Sequence, residues 1–70
     1  MDKKELTIGK KIQNWRKKKG LTQDALARKV DMPYTTLAKI ESDVIKGPSI
    51  HTVAKIAEGL GISLDELMRK

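Results

Sequence analysis

Apolar residues recur along this chain at helical rather than strand spacing. Ile8, Ile12 and Trp15 stand at i, i+4 and i+7, one stripe of a helix predicted between Asp2 and Lys19. Asp2 and Glu5 have the spacing of a capping box at its start. Gly20 is placed to end it in the left-handed conformation, with Leu21 folding back toward Trp15. Thr22 then offers an N-cap for a short second helix, Gln23 to Val30, whose Leu26, Ala27 and Val30 share a face. Pro33 disfavours helical geometry at Met32 but is tolerated in the first turn of a new helix. The chain therefore turns at Asp31-Met32-Pro33, and a third helix runs roughly from Tyr34 to Ser42 with Leu37, Ile40 and Glu41 facing inward.

Gly47 and Pro48 break the pattern again. Ser49 can cap a fourth helix carrying Ile50, Val53, Ala54, Ile56, Ala57 and Leu60, apolar over more than half its circumference and so predicted to be central. Gly61 ends it. Ser63 and Glu66 form a second capping-box signature, opening a terminal helix with Leu64, Leu67 and Met68. No internal repeat, low-complexity tract or long linker interrupts this order. The expectation is an all-α, compact five-helix fold, with residues 1–70 forming a single domain.

Composition narrows what such a fold can do. Seventy residues leave little room for both a core and an enclosed substrate pocket, so a binding module is expected rather than an enzyme. There is no Cys and a single His, His51; no cofactor, metal or small-molecule ligand is expected. No segment approaches the roughly 18 apolar residues of a membrane span, and the N-terminus leads into no apolar signal region. No membrane partner is expected, and the location expected is cytoplasmic. Fifteen Lys+Arg against nine Asp+Glu give a net charge of +6.

Function becomes legible between Gln23 and Ser42. Two short helices joined by a three- or four-residue turn cross steeply and leave one of them projecting, and Ala27 supplies the small side chain such a crossing needs. Leu26, Val30, Met32, Leu37 and Ile40 provide apolar positions on both sides of the turn. With the segments "IGKKIQNWRKKKGLTQDALARKV", "TTLAKIES" and "GPSIHTVAKIAEGLGISLDEL", the chain resembles the lambda-repressor/Cro family of bacterial and phage DNA-binding domains. The parts that carry the likeness are Gly20-Leu21-Thr22-Gln23, Leu26-Ala27, Glu41, Pro48-Ser49 and Leu60-Gly61-Ile62-Ser63. The chain departs from the family at Asp31 and Asp43, where glycine is usual. Asp enters left-handed geometry less readily than Gly, so some loss of stability is expected. Met32-Pro33-Tyr34 also differs from the family's small polar run, and no base preference carries over.

With Leu37, Ile40 and Glu41 inward, helical geometry turns Tyr34, Thr35, Ala38, Lys39 and Ser42 outward. Lys39 can donate to guanine O6 or N7, Thr35 can bond a base edge or touch a thymine methyl, Ala38 permits close approach, and Tyr34 reaches a base or a phosphate. The resemblance implies that Gln23, Ser42 and Lys46 hold the DNA backbone and that Arg16 and Glu41 join the first and third helices as an ion pair. Lys10, Lys11, Lys17, Lys18 and Lys19 raise the positive potential without reading sequence. Val44 and Ile45 in a polar loop, with Leu64, Leu67 and Met68, form a candidate surface for a homodimer on a pseudo-palindromic operator of double-stranded DNA. The function implied is transcriptional repression. An antitoxin-like protein-interaction module that also binds DNA is the alternative, and a membrane-surface amphipathic helix is disfavoured because the first helix's apolar stripe is needed for the core.

Overall fold

In the computed structural model, which describes residues 7–69, the chain forms α1 (Ile8–Lys18), α2 (Gln23–Lys29), α3 (Tyr34–Glu41), α4 (Ile50–Leu60) and α5 (Leu64–Met68). Four of these begin at a hydroxyl side chain that accepts a bond from an otherwise unpaired backbone N–H of the first turn. Thr7 accepts from Lys10, Thr22 from Ala25, Ser49 from Thr52 and Ser63 from Glu66. At Ser63 the Glu66 carboxylate returns the bond, completing the capping box. The Asp2–Glu5 capping box expected from the sequence lies outside the described residues, and among those described α1 opens at the Thr7 cap. α3 has Pro33 at its cap and no capping side chain; the Pro33 carbonyl accepts from Thr36 and Leu37 instead.

The helix ends repeat one device. After α1, α2, α3 and α4 a residue with positive φ reverses the chain: Gly20, Asp31, Asp43 and Gly61. Each is embraced by two backbone bonds in the Schellman pattern, for example Gly20 N–H to the Lys17 carbonyl and Leu21 N–H to the Arg16 carbonyl, both 3.0 Å. The two non-glycine positions are therefore held in the left-handed region by the same bonds that the glycines make.

These reversals wrap the helices around one core of Ile12, Leu26, Ala27, Val30, Leu37, Ile40, Val53, Ile56, Ala57, Leu60 and Leu67. Trp15, Leu21, Met32, Ile45, Ile62 and Leu64 pack on it from the edges. α1 touches α3, α4 and α5, and α2 touches α3 and α4. The fourth helix is not enclosed as its composition suggests: Ile50, 65% exposed, and Ala54 lie on a solvent face with Glu58, because α2, α1 and α5 cover only the side carrying Val53, Ile56, Ala57 and Leu60. Among the described residues no helix is long and apolar enough to cross a membrane.

Two close approaches were not visible in the sequence. A Cβ on Gly9 would fall against the Ile40 and Glu41 carbonyl oxygens and the Asp43 carboxylate, so α1 meets the end of α3 at backbone contact. A Cβ on Gly59 would strike the Val30 side chain, setting α4 against α2. Ala27, 2% exposed, sits in the core beside the turn between α2 and α3.

Candidate nucleic-acid interface

α3 divides into an inner and an outer face. Leu37, Ile40 and Glu41 are buried, while Tyr34, Thr35, Lys39 and Ser42 are exposed and Ala38 is half-buried. Tyr34 is 50% exposed, a large aromatic side chain held at the open first turn. The outer side thus offers a phenol, a hydroxyl, a small gap at Ala38 and an ammonium in sequence along one helix. This is a set of donors and contacts of the kind that read base edges in a major groove.

A buried charge network fixes where that helix sits. Glu41 is 2% exposed and Arg16 8%. The guanidinium grips the carboxylate with two parallel bonds, Nε to Oε2 at 2.8 Å and Nη2 to Oε1 at 3.0 Å, the geometry that makes Arg–carboxylate pairs both strong and directional. Nη1 donates to the Leu21 carbonyl at 2.8 Å, tying in the connector between α1 and α2. Gln23 completes the group by donating from Nε2 to Glu41 Oε1 at 3.1 Å. One carboxylate therefore joins α1, α2 and α3.

Other candidate residues lie around this frame. Ser42 follows Glu41 and is exposed, its hydroxyl donating to the Lys39 carbonyl at 3.3 Å; Lys46 is exposed in the loop beyond. Gln23 is half-buried, with its amide already engaged by Glu41. Of the α1 lysines, Lys11 donates to the Met68 carbonyl at 2.9 Å. Lys18 and Lys19 lie 4.9 and 5.9 Å from the centre of the Trp15 ring, a cation–π arrangement. Lys11 thus lies against the end of α5, and Lys10 and Lys17 are exposed.

The candidate dimer residues separate. Val44 is 68% exposed and Met68 is exposed, whereas Ile45 and Leu64 are half-buried against the core. Leu67 is a correction: it is fully buried, because the fourth position of so short a helix is the one that turns toward α1 and α4, and it is not available to another molecule. Ile50, unpredicted as surface, stands exposed across the same loop from Val44.

Among the described residues no group of three or more His, Asp and Glu is placed to hold a metal ion. An open groove bordered by Lys29, Val30, Asp31, Lys55, Glu58 and Gly59 lies between α2 and α4, apart from the α3 outer face, and its walls alternate in charge.

Comparison with known proteins places this geometry. The helix-turn-helix family model matches residues 12–67. The immunity repressor protein of Bacillus phage phi105 is 36% identical over 63 residues, covering 90% of this chain and 43% of the repressor. The transcriptional regulator SinR of Bacillus subtilis is 33% identical over 61 residues, covering 87% of this chain and 55% of SinR. The chain thus spans about half the length of the curated relatives it matches. The structure of SinR in complex with DNA superposes with a TM-score of 0.84 at 32% identity, covering 90% of this chain and 100% of that one. The restriction-modification controller protein C.AhdI of Aeromonas hydrophila superposes at 0.81 with 26% identity, covering 87% and 91%.

Proposed function

The chain belongs to the helix-turn-helix family, and from that premise we propose that it binds double-stranded DNA in a sequence-specific manner and acts as a transcriptional regulator, most simply a repressor that occupies an operator. The observation that carries this reading is the division of α3. Its inner face is locked by Leu37, Ile40 and the Arg16–Glu41 pair, and its outer face presents Tyr34, Thr35, Ala38 and Lys39 to whatever approaches. The likeness to a SinR domain solved on DNA supports the same reading.

In this proposal α3 enters the major groove, Lys39 and Thr35 address base edges, and Ser42, Lys46 and Gln23 hold phosphates. Two copies bind a pseudo-palindrome with recognition helices roughly 34 Å apart. The surface that brings them together is built on Val44, Ile50 and Met68 rather than on Leu67. No catalytic role is assigned to any residue, and the site of action is the cytoplasm. Selection of bound sites from random duplex DNA tests the reading: enrichment of a two-fold symmetric sequence is expected, and a pool that stays random after repeated rounds overturns it.

A further inference from the structure

The junction of α1, α2 and α3 does more than hold helices together. Glu41 Oε1 accepts from two donors, Arg16 Nη2 at 3.0 Å and Gln23 Nε2 at 3.1 Å, while Arg16 Nε takes Oε2 at 2.8 Å. An ionised carboxylate only accepts hydrogen bonds, and a glutamine amide presents a donor at one end and an acceptor at the other. The Gln23 amide therefore has one stable orientation, with nitrogen toward Glu41; turning it over would set its oxygen against the carboxylate. One N–H is used there. The second N–H on the same nitrogen has no hydrogen-bond partner among the described residues.

We propose that Glu41 is a positioning residue for the DNA-backbone contact: its buried carboxylate orients the Gln23 amide so that the remaining N–H is presented to a phosphate oxygen. This rests on the DNA-binding reading above and adds to it the origin of the grip's direction. Gln23 is the first residue of α2 and Glu41 the last of α3, so the same carboxylate sets the phosphate donor and the reading helix in one frame. Arg16 anchors the carboxylate with bonds to both of its oxygens. A free glutamine on a surface would lose rotamer freedom on binding and present its oxygen to the phosphate as often as its nitrogen.

Two measurements test this. The chain's two glutamines are Gln13 and Gln23, and NMR relaxation of their side-chain amides in the DNA-free protein compares them directly. Gln23 is expected to be as rigid as the backbone, with Gln13, which makes no such side-chain bond among the described residues, as the comparison; a Gln23 amide that reorients freely overturns the proposal. The second is an affinity cycle on the selected duplex, with melting recorded for every variant. Gln23→Ala in the native background is expected to weaken binding about ten- to a hundredfold, the size of one hydrogen bond to a charged group. With the ion pair replaced by apolar residues, Arg16→Met with Glu41→Leu, an exchange buried pairs often tolerate, the same Gln23→Ala change is expected to cost less than twofold. An equal loss in both backgrounds overturns the positioning role. So does no loss from Gln23→Ala when Lys39→Ala and Lys46→Ala still weaken the complex, a result that leaves DNA binding standing. Failure of the wild-type protein to select any duplex overturns the DNA-binding reading itself, while the amide relaxation still reports on the Glu41–Gln23 bond.

Discussion

The two faces of α3 are built on opposite terms. The inner face spends its residues on contacts that have no slack: Leu37 and Ile40 are fully enclosed, Glu41 is bonded to Arg16 and Gln23, and the end of the helix lies against Gly9 at backbone distance. The outer face has few internal ties, and Tyr34, Thr35 and Lys39 are free to meet a partner. A recognition helix needs both conditions. Rigid support fixes the frame so that the ordering cost of binding falls only on side chains, and uncommitted outer groups leave affinity to be decided by the partner. Substitutions on the two faces should therefore fail in different ways, one in stability and the other in binding.

The largest effect is expected from separating the ion pair. Arg16→Met leaves the Glu41 carboxylate buried without its counter-charge and costs about 3–5 kcal/mol of folding stability, read from chemical or thermal denaturation. Replacing both members with apolar residues should return most of that loss. If Arg16→Met alone melts like the wild type, the pair is not what holds α3, and the contrast between faces loses its strongest support.

Next comes Gly9→Ala. Its methyl has no room beside the Ile40 and Glu41 carbonyl oxygens, so α1 and α3 must move apart, at a cost of about 1–3 kcal/mol by overpacking. DNA affinity is expected to fall with it, because the displaced end of α3 carries Ser42 and leads to Lys46. Unchanged melting would show that the two helices have slack at this point.

The outer face should respond in the reverse sense. Lys39→Ala is expected to leave stability within about 0.5 kcal/mol. It should lose about 1–3 kcal/mol of affinity on the selected site and flatten preference at one or two base positions. Lys46→Ala should weaken selected and scrambled duplexes alike and reduce the slope of log K against log salt by about 0.9 per lost phosphate contact, twice that in a dimer. Fluorescence titrations on both duplexes at two salt concentrations separate these outcomes. If Lys39→Ala weakens both equally while Lys46→Ala changes base preference, the outer face of α3 is not the reading surface.

What the sequence disclosed and what it concealed follow a physical line. Helix starts at Thr22, Ser49 and Ser63 were legible because a cap bonds the backbone three residues away, and helix ends at Gly20 and Gly61 because left-handed geometry selects glycine locally. Gly9, Gly59 and the Gln23–Glu41 bond were invisible because each acquires meaning only when distant segments meet. Exposure of Ile50 and burial of Leu67 likewise depend on which neighbours cover a helix. The Arg16–Glu41 pairing entered through family likeness, since nothing in a spacing of 25 residues requires it.

The smallest prediction concerns Asp31 and Asp43, two aspartates in the same left-handed position of the same motif, with φ of 56° and 67°. Their surroundings differ. Asp31 is exposed and its carboxylate makes no hydrogen bond within the described residues. The Asp43 carboxylate accepts from Thr7 Oγ1 at 3.0 Å, and Thr7 also caps α1. This brings a negative charge to the positive end of a helix whose first turn holds no acidic residue, an arrangement worth about 0.3–1 kcal/mol. Asp31→Gly should relieve backbone strain at little cost and stabilise the fold by a few tenths to about 1 kcal/mol. In Asp43→Gly the same relief is offset by loss of the Thr7 bond and of the charge beside α1, about 0.5–1 kcal/mol, leaving stability level or slightly lower. Added salt should narrow the gap between the two variants, because the helix-end charge is screened. Equal gains from both substitutions would mean that Asp43 contributes nothing to α1, and that the end of α3 is held by the Gly9 contact and the buried ion pair alone.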